Sequence, residues 1–141
     1  MNATLLYRIA SVVLVVFAAG HTFGFLKFRP ASAEGLAVRD AMTNVRIEIK
    51  GSSFTYGDFY TGFGLMITAY LLFAAFLAWH LGTLAREQPA AIGALGWAFV
   101  AVQAVCVAVS LRYFFLLPSI LSVVIVICLA WSAWLVGVVK P

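Results

Sequence analysis

Four stretches of the chain stay apolar for long enough to make one helical span each. They run from Leu5 to Leu26, Asp58 to Leu81, Ala90 to Leu111 and Pro118 to Val139. A helix needs about 20 mostly apolar residues to cross a hydrocarbon core of about 30 Å. Strands of a membrane barrel would alternate in polarity over about 10 residues, and these runs do not alternate. The pattern therefore predicts four transmembrane helices, which keep every backbone hydrogen bond inside the segment.

Residues 27–57 form the only long polar connection. Ser32 is placed to cap a short helix ending near Thr43, with Leu36, Val38, Met42 and Val45 roughly on one side, as suits a helix lying on a membrane surface. The period then changes. In "VRIEIKGSSFTY", Val45, Ile47 and Ile49 alternate with Arg46, Glu48 and Lys50, and "GSS" supplies a turn signal. This reads as a small β-hairpin, with a continued amphipathic helix as the alternative.

The later connections, "GTLAREQPAA" and "RYFFLLPS", are short, and short links force antiparallel neighbours. The expected architecture is one all-α integral membrane domain over residues 1–141. It is an antiparallel bundle of four transmembrane helices with a long amphipathic loop between the first and second. Arg8, the apolar run after it and the small residues Ala18 and Gly20 resemble a signal peptide, but the run is read as a retained helix.

Each span carries a narrow stripe suited to helix contact in lipid, where small and weakly polar residues make the interfaces. The stripes are Ser11, Ala18 and His21; Gly57, Thr61, Gly64, Thr68 and Ala75; Gly96, Gln103 and Ser110; and Ser119, Ser122 and Ala133. Trp79, Trp97, Trp131 and Trp134 lie toward span ends, as in an interfacial aromatic belt.

Composition excludes a soluble domain. The chain is 65% hydrophobic and 10% charged, against about 25% charged in soluble domains. Its net charge of +4 is read as basic residues meeting anionic headgroups, so membrane lipids are the expected partners and nucleic acid is not. The loop side carries Lys27, Arg29, Arg39, Arg46, Lys50 and Arg112, whereas the termini side carries Arg8, Arg86 and Lys140. Positive charge favours the cytoplasm, which puts the loop inside and both termini in the periplasm. Cys106 and Cys128 sit in apolar runs without a CxxC motif and read as small packed hydrophobes.

The candidate chemistry centres on His21 in "AAGHTFG". It lies roughly 8 Å below the loop-side surface at about 1.5 Å per residue. Asp58, Tyr60 and Thr61 enter the second span from that side, Arg112 ends the third there, and Ser122 begins the fourth. Gln103 lies mid-span in the third and is expected to hydrogen-bond another helix. Ionisable groups within membranes are functional candidates, although His21 could equally lock two helices together. The expected arrangement is a hydrogen bond between His21 and Asp58, direct or through one water, with Tyr60 or Arg112 nearby. The glycines at 20, 24, 57 and 62 would let the helices approach. His80 ends the second span on the opposite side and reads as an interface anchor. Two histidines at opposite depths cannot share one haem, so no metal or cofactor is expected.

"GHTFG" at 20–24, "AM" at 41–42, the glycine at 51 and "DFYTGFGL" at 58–65 together resemble an uncharacterised group of small four-helix bacterial membrane proteins. The resemblance covers about residues 18–66 and implies a multi-pass protein of the bacterial inner membrane. It brings no activity or catalytic residue. The glutathione-linked eicosanoid enzymes share the size and a long loop. Their arginine and asparagine pattern would have to map onto Arg39, Asn44 and Glu48, where the spacing fits poorly.

No nucleophile, metal set or redox pair is visible. Binding of a lipid-like or apolar ligand, or an accessory role in a homo-oligomer or larger membrane complex, is therefore ranked above catalysis. The alternative is a membrane enzyme using His21 as general acid or base. The candidate ligand-binding residues are His21, Asp58, Tyr60, Thr61, Gln103, Arg112 and Ser122.

Overall fold

A computed structural model describes residues 2–138. The elements are α1 (Ala3–Lys27), α2 (Ala33–Asn44), β1 (Arg46–Ile49), β2 (Ser52–Thr55), α3 (Tyr56–Glu87), a 3-10 turn (Pro89–Ala91), α4 (Gly93–Tyr113) and α5 (Leu116–Val138). The helices α1, α3, α4 and α5 are each long and apolar enough to cross a membrane, as the four apolar runs require.

Helix boundaries differ from the sequence expectation for identifiable reasons. α3 continues to Glu87 rather than stopping at Leu81, because no strong breaker appears before Pro89, whose ring disfavours helix at the residue preceding it. The third long helix begins at Gly93, after the Pro89–Ala91 turn, rather than at Ala90. α5 starts two residues before Pro118, leaving that proline in the first turn, where its missing donor has no helical partner to lose. The expected end of this helix at Val139, and Lys140 beyond it, lie outside the described residues.

The described residues divide into two compact units, residues 2–17 with 71–138, and residues 18–70. In the first unit the stripe residues expected at helix contacts are largely buried: Ser11, Ala75, Gly96, Gln103, Ser110, Ser119, Ser122 and Ala133. Their hydroxyls join helices. Ser11 Oγ donates to the Ala75 carbonyl at 2.8 Å, and Ser132 Oγ lies 3.3 Å from the Ala3 carbonyl. The Ser110 and Ser119 hydroxyls are 3.2 Å apart across the α4–α5 link. Hydroxyl contacts of this kind tie neighbouring helices together. The remaining faces expose Phe76, Val105 and Ile127, and all four tryptophans are about half exposed.

The second unit holds the last turns of α1, α2, the hairpin and the first turns of α3. Ser32 caps α2, its side chain accepting from Gly35 N at 3.1 Å, as the sequence predicts. The hairpin also forms, with Arg46 opposite Thr55 and Ile49 opposite Ser52. Lys50 and Gly51 make its two-residue turn with φ of 49° and 84°. Positive φ at both central residues matches the twist of the flanking strands.

Candidate functional site

Helical spacing places Ala18, His21, Thr22 and Phe25 on one face of α1, since residues three, four and seven apart stack above one another. This face meets Tyr60, Gly64 and Thr68 of α3. His21 Nε2 lies 3.1 Å from the Gly64 carbonyl oxygen. A carbonyl can only accept, so Nε2 carries the proton. Thr68 Oγ1 lies 3.1 Å from the same oxygen. Thr68 Oγ1 is 2.7 Å from Thr22 Oγ1, which in turn is 2.7 Å from the Ala18 carbonyl. Each threonine has one hydroxyl proton. The chain therefore runs one of two ways: Thr68 donates to Thr22 and Thr22 to Ala18, or Thr22 donates to Thr68 and Thr68 to Gly64. Either direction satisfies both hydroxyls.

Gly64 serves this contact twice. A Cβ there would come within 2.7 Å of the Phe25 ring, so only glycine lets that ring lie against α3. Phe25 also meets His21 at 5.1 Å and Tyr60 edge-on at 6.3 Å between ring centres. The motifs "GHTFGF" and "DFYTGFGL" thus meet through His21, Thr22 and Phe25 on one side and Tyr60 and Gly64 on the other.

The direct form of the expected His21–Asp58 hydrogen bond is corrected here, because each residue bonds elsewhere. Asp58 Oδ2 accepts from Thr55 N at 2.7 Å and Thr55 Oγ1 at 2.9 Å, while Asp58 N lies 3.0 Å from Thr55 Oγ1. This reciprocal pair is a capping box for α3, and its signature "TYGD" is legible in the sequence. The glycines at 20, 24 and 62 do not mediate helix approach either, since a Cβ at any of them would meet nothing within 4 Å. Gly20 and Gly24 fall off the α1 face that carries His21 and Phe25.

Beside this contact, wholly within the second unit, lies a half-open cavity of about 850 Å³. Its apolar lining includes Phe25, Leu26 and Phe28 from the end of α1 and Val38 and Met42 from α2. Its polar lining includes Arg39, Thr43, Arg46 and Thr55, together with Asp58, Tyr60 and Thr61 from α3. Three of the sequence candidates, Asp58, Tyr60 and Thr61, therefore line one cavity. His21 is not part of the lining.

Gln103, Arg112 and Ser122 belong to the other unit. Gln103 and Ser122 are buried there, and exposed Arg112 lies 5.3 Å from the centre of the Tyr113 ring. That unit also holds a cluster the sequence reading passed over. Arg8 Nη2 donates to Thr83 Oγ1 at 2.9 Å, and its guanidinium carbon is 3.3 Å from the centre of a Trp79 ring. Arg8 Nη1 and the Tyr7 hydroxyl are buried without a hydrogen-bond partner among the described residues.

Arg39 and Arg46 are the cavity residues that sequence reasoning missed as a site. Both counted only as loop charge. The signal for Arg46 was the strand alternation: across the hairpin Arg46 faces Thr55 and Glu48 faces Ser53, so these residues share one face. Nothing in the sequence placed Arg39 against a cavity. Comparison with family models, curated proteins and solved structures finds no match to this chain.

Proposed function

We propose that this is a multi-pass protein of the bacterial inner membrane, its four long helices antiparallel, that holds a lipid-like or apolar molecule in the cavity under α2 and the hairpin. The observation that carries this reading is the cavity itself. Its volume of about 850 Å³ falls within the roughly 300–1,000 Å³ of small-molecule sites. Its walls combine apolar side chains with a few polar groups, which is the usual composition of such sites. The cavity lies at the end of α1 and the start of α3, where a membrane-spanning pair would pass through the headgroup layer. A lipid could therefore enter without leaving the bilayer. The inner-membrane assignment rests on the "GHTFG" and "DFYTGFGL" motifs.

Catalysis by His21 is the weaker reading. Its Nε2 is bonded to a backbone carbonyl, and His21 is not among the residues that line the cavity. Its place in the contact is that of a helix tie. Native mass spectrometry of the protein released from detergent tests the proposal. A retained lipid-sized adduct, lost when Val38→Trp fills the cavity, is the expected result. A bare protein mass under conditions that keep the fold would refute it.

A further inference from the structure

The hairpin contributes to the cavity wall from its polar face. Arg46 and Thr55 are directly opposed across the strands and both line the cavity. The apolar side of the ribbon turns elsewhere: Phe54 meets Phe59 at 5.8 Å between ring centres. A wall against a purely apolar guest would be expected to turn the other way, because a polar group facing such a guest loses its water without compensation.

The charges on the polar side are unequal. Arg39 and Arg46 line the cavity, and Asp58 is the acidic residue among its lining. Asp58 is committed to capping α3, where the helix N-terminus offsets its charge. It feels Arg46 only through space, with no ion pair between them. Arg39 uses Nη1 on the Phe28 carbonyl at 2.6 Å. Arg46 uses Nε on Ser53 Oγ at 3.2 Å, which steadies the side chain and leaves its two terminal nitrogens without a hydrogen-bond partner among the described residues. Paired terminal N–H donors of a guanidinium match the two oxygens of a carboxylate or phosphate.

We infer that the ligand is an acidic amphiphile, an acyl chain lying against Phe25, Leu26, Phe28, Val38 and Met42 with its anionic head on Arg46 and, beside it, Arg39. The inference rests on the cavity-binding reading above and narrows it to one chemical class. The head could be the carboxylate of a free fatty acid or the phosphate of an anionic phospholipid. Both present the same paired oxygens.

The test uses the full-length protein in nanodiscs of zwitterionic phosphatidylcholine, with radiolabelled oleate and oleyl alcohol as probes of equal chain length. Oleate is expected to bind at least about tenfold more tightly than the alcohol. Arg46→Gln should bring oleate down to the level of the alcohol, with an unchanged circular-dichroism spectrum and melting temperature reporting that the variant is folded. Arg46→Lys should recover part of the difference. Doping the discs with phosphatidylglycerol identifies the carrier of the head. Displacement of oleate points to a phospholipid and retention to a free acid, and either result upholds the anionic head. Equal binding of oleate and alcohol by the wild-type protein overturns the acidic class and leaves the cavity reading standing. Binding of neither probe overturns both.

Discussion

His21 Nε2 and the Gly64 carbonyl oxygen are 3.1 Å apart, a side chain of α1 held by the backbone of α3. Gly64 lies inside α3, where its carbonyl also accepts the helical backbone bond from the residue four on, so losing His21 does not orphan it. His21→Phe should therefore lower stability by only about 0.5–1.5 kcal/mol. Asp58→Asn acts on the α3 cap instead, and the double variant should lose the sum of the two within about 0.5 kcal/mol. Thermal unfolding of the two singles and the double in one detergent measures this. A coupling above about 1 kcal/mol would reinstate a working His21–Asp58 pair.

Gly62 and Gly64 lie two residues apart in "DFYTGFGL" and should respond in opposite ways. Gly64→Ala drives a methyl into the Phe25 ring, and overpacking of this kind costs about 1–3 kcal/mol. Gly62→Ala meets nothing within 4 Å and should be neutral or stabilising by up to about 1 kcal/mol from helix propensity. Equal melting temperatures for the two variants would contradict the packing described.

The contrast shows what the sequence could and could not reveal. The four long apolar helices, the Ser32 cap and the hairpin were legible because each follows from local pattern: run length, a capping residue, alternation before a turn. The helix contact was legible only as a stripe. "GHTFG" holds a GxxxG pair, yet His21, Thr22 and Phe25 make the contact while Gly20 and Gly24 face open space. Choosing between two faces of one helix depends on the partner, and the partner glycine is 64. Depth alone pairs Asp58 with His21, although "TYGD" carries a local explanation, the α3 cap. The cavity was hidden because Arg39 and Arg46 are brought to it by the path of the loop.

Lys50 adopts a φ of 49° in the hairpin turn, a region that costs a residue with a Cβ about 1–2 kcal/mol. Lys50→Gly should relieve that strain, and Lys50→Asn part of it. Slower amide exchange at Ile47 and Phe54 in either variant is the expected readout. Faster exchange would mean that the turn is not formed as described.

Arg8 of α1 stacks on Trp79 of α3, and a planar cation over an indole face gains about 0.5–2 kcal/mol. Lysine cannot reproduce the planar stack together with the bond to Thr83. Arg8→Lys and Trp79→Leu should each lower the melting temperature, and their effects should not add. Full additivity would show that the stack contributes nothing.

The central claim is that an acyl chain occupies the cavity in the 18–70 unit. Photolabelling with a diazirine-bearing fatty acid, mapped by peptide mass spectrometry on the protein in nanodiscs, addresses it most directly. The account predicts labels concentrated on residues 25–28 and 38–42, and their loss in Val38→Trp. Labels spread evenly over exposed apolar residues such as Val105 and Ile127, unchanged in Val38→Trp, would contradict it.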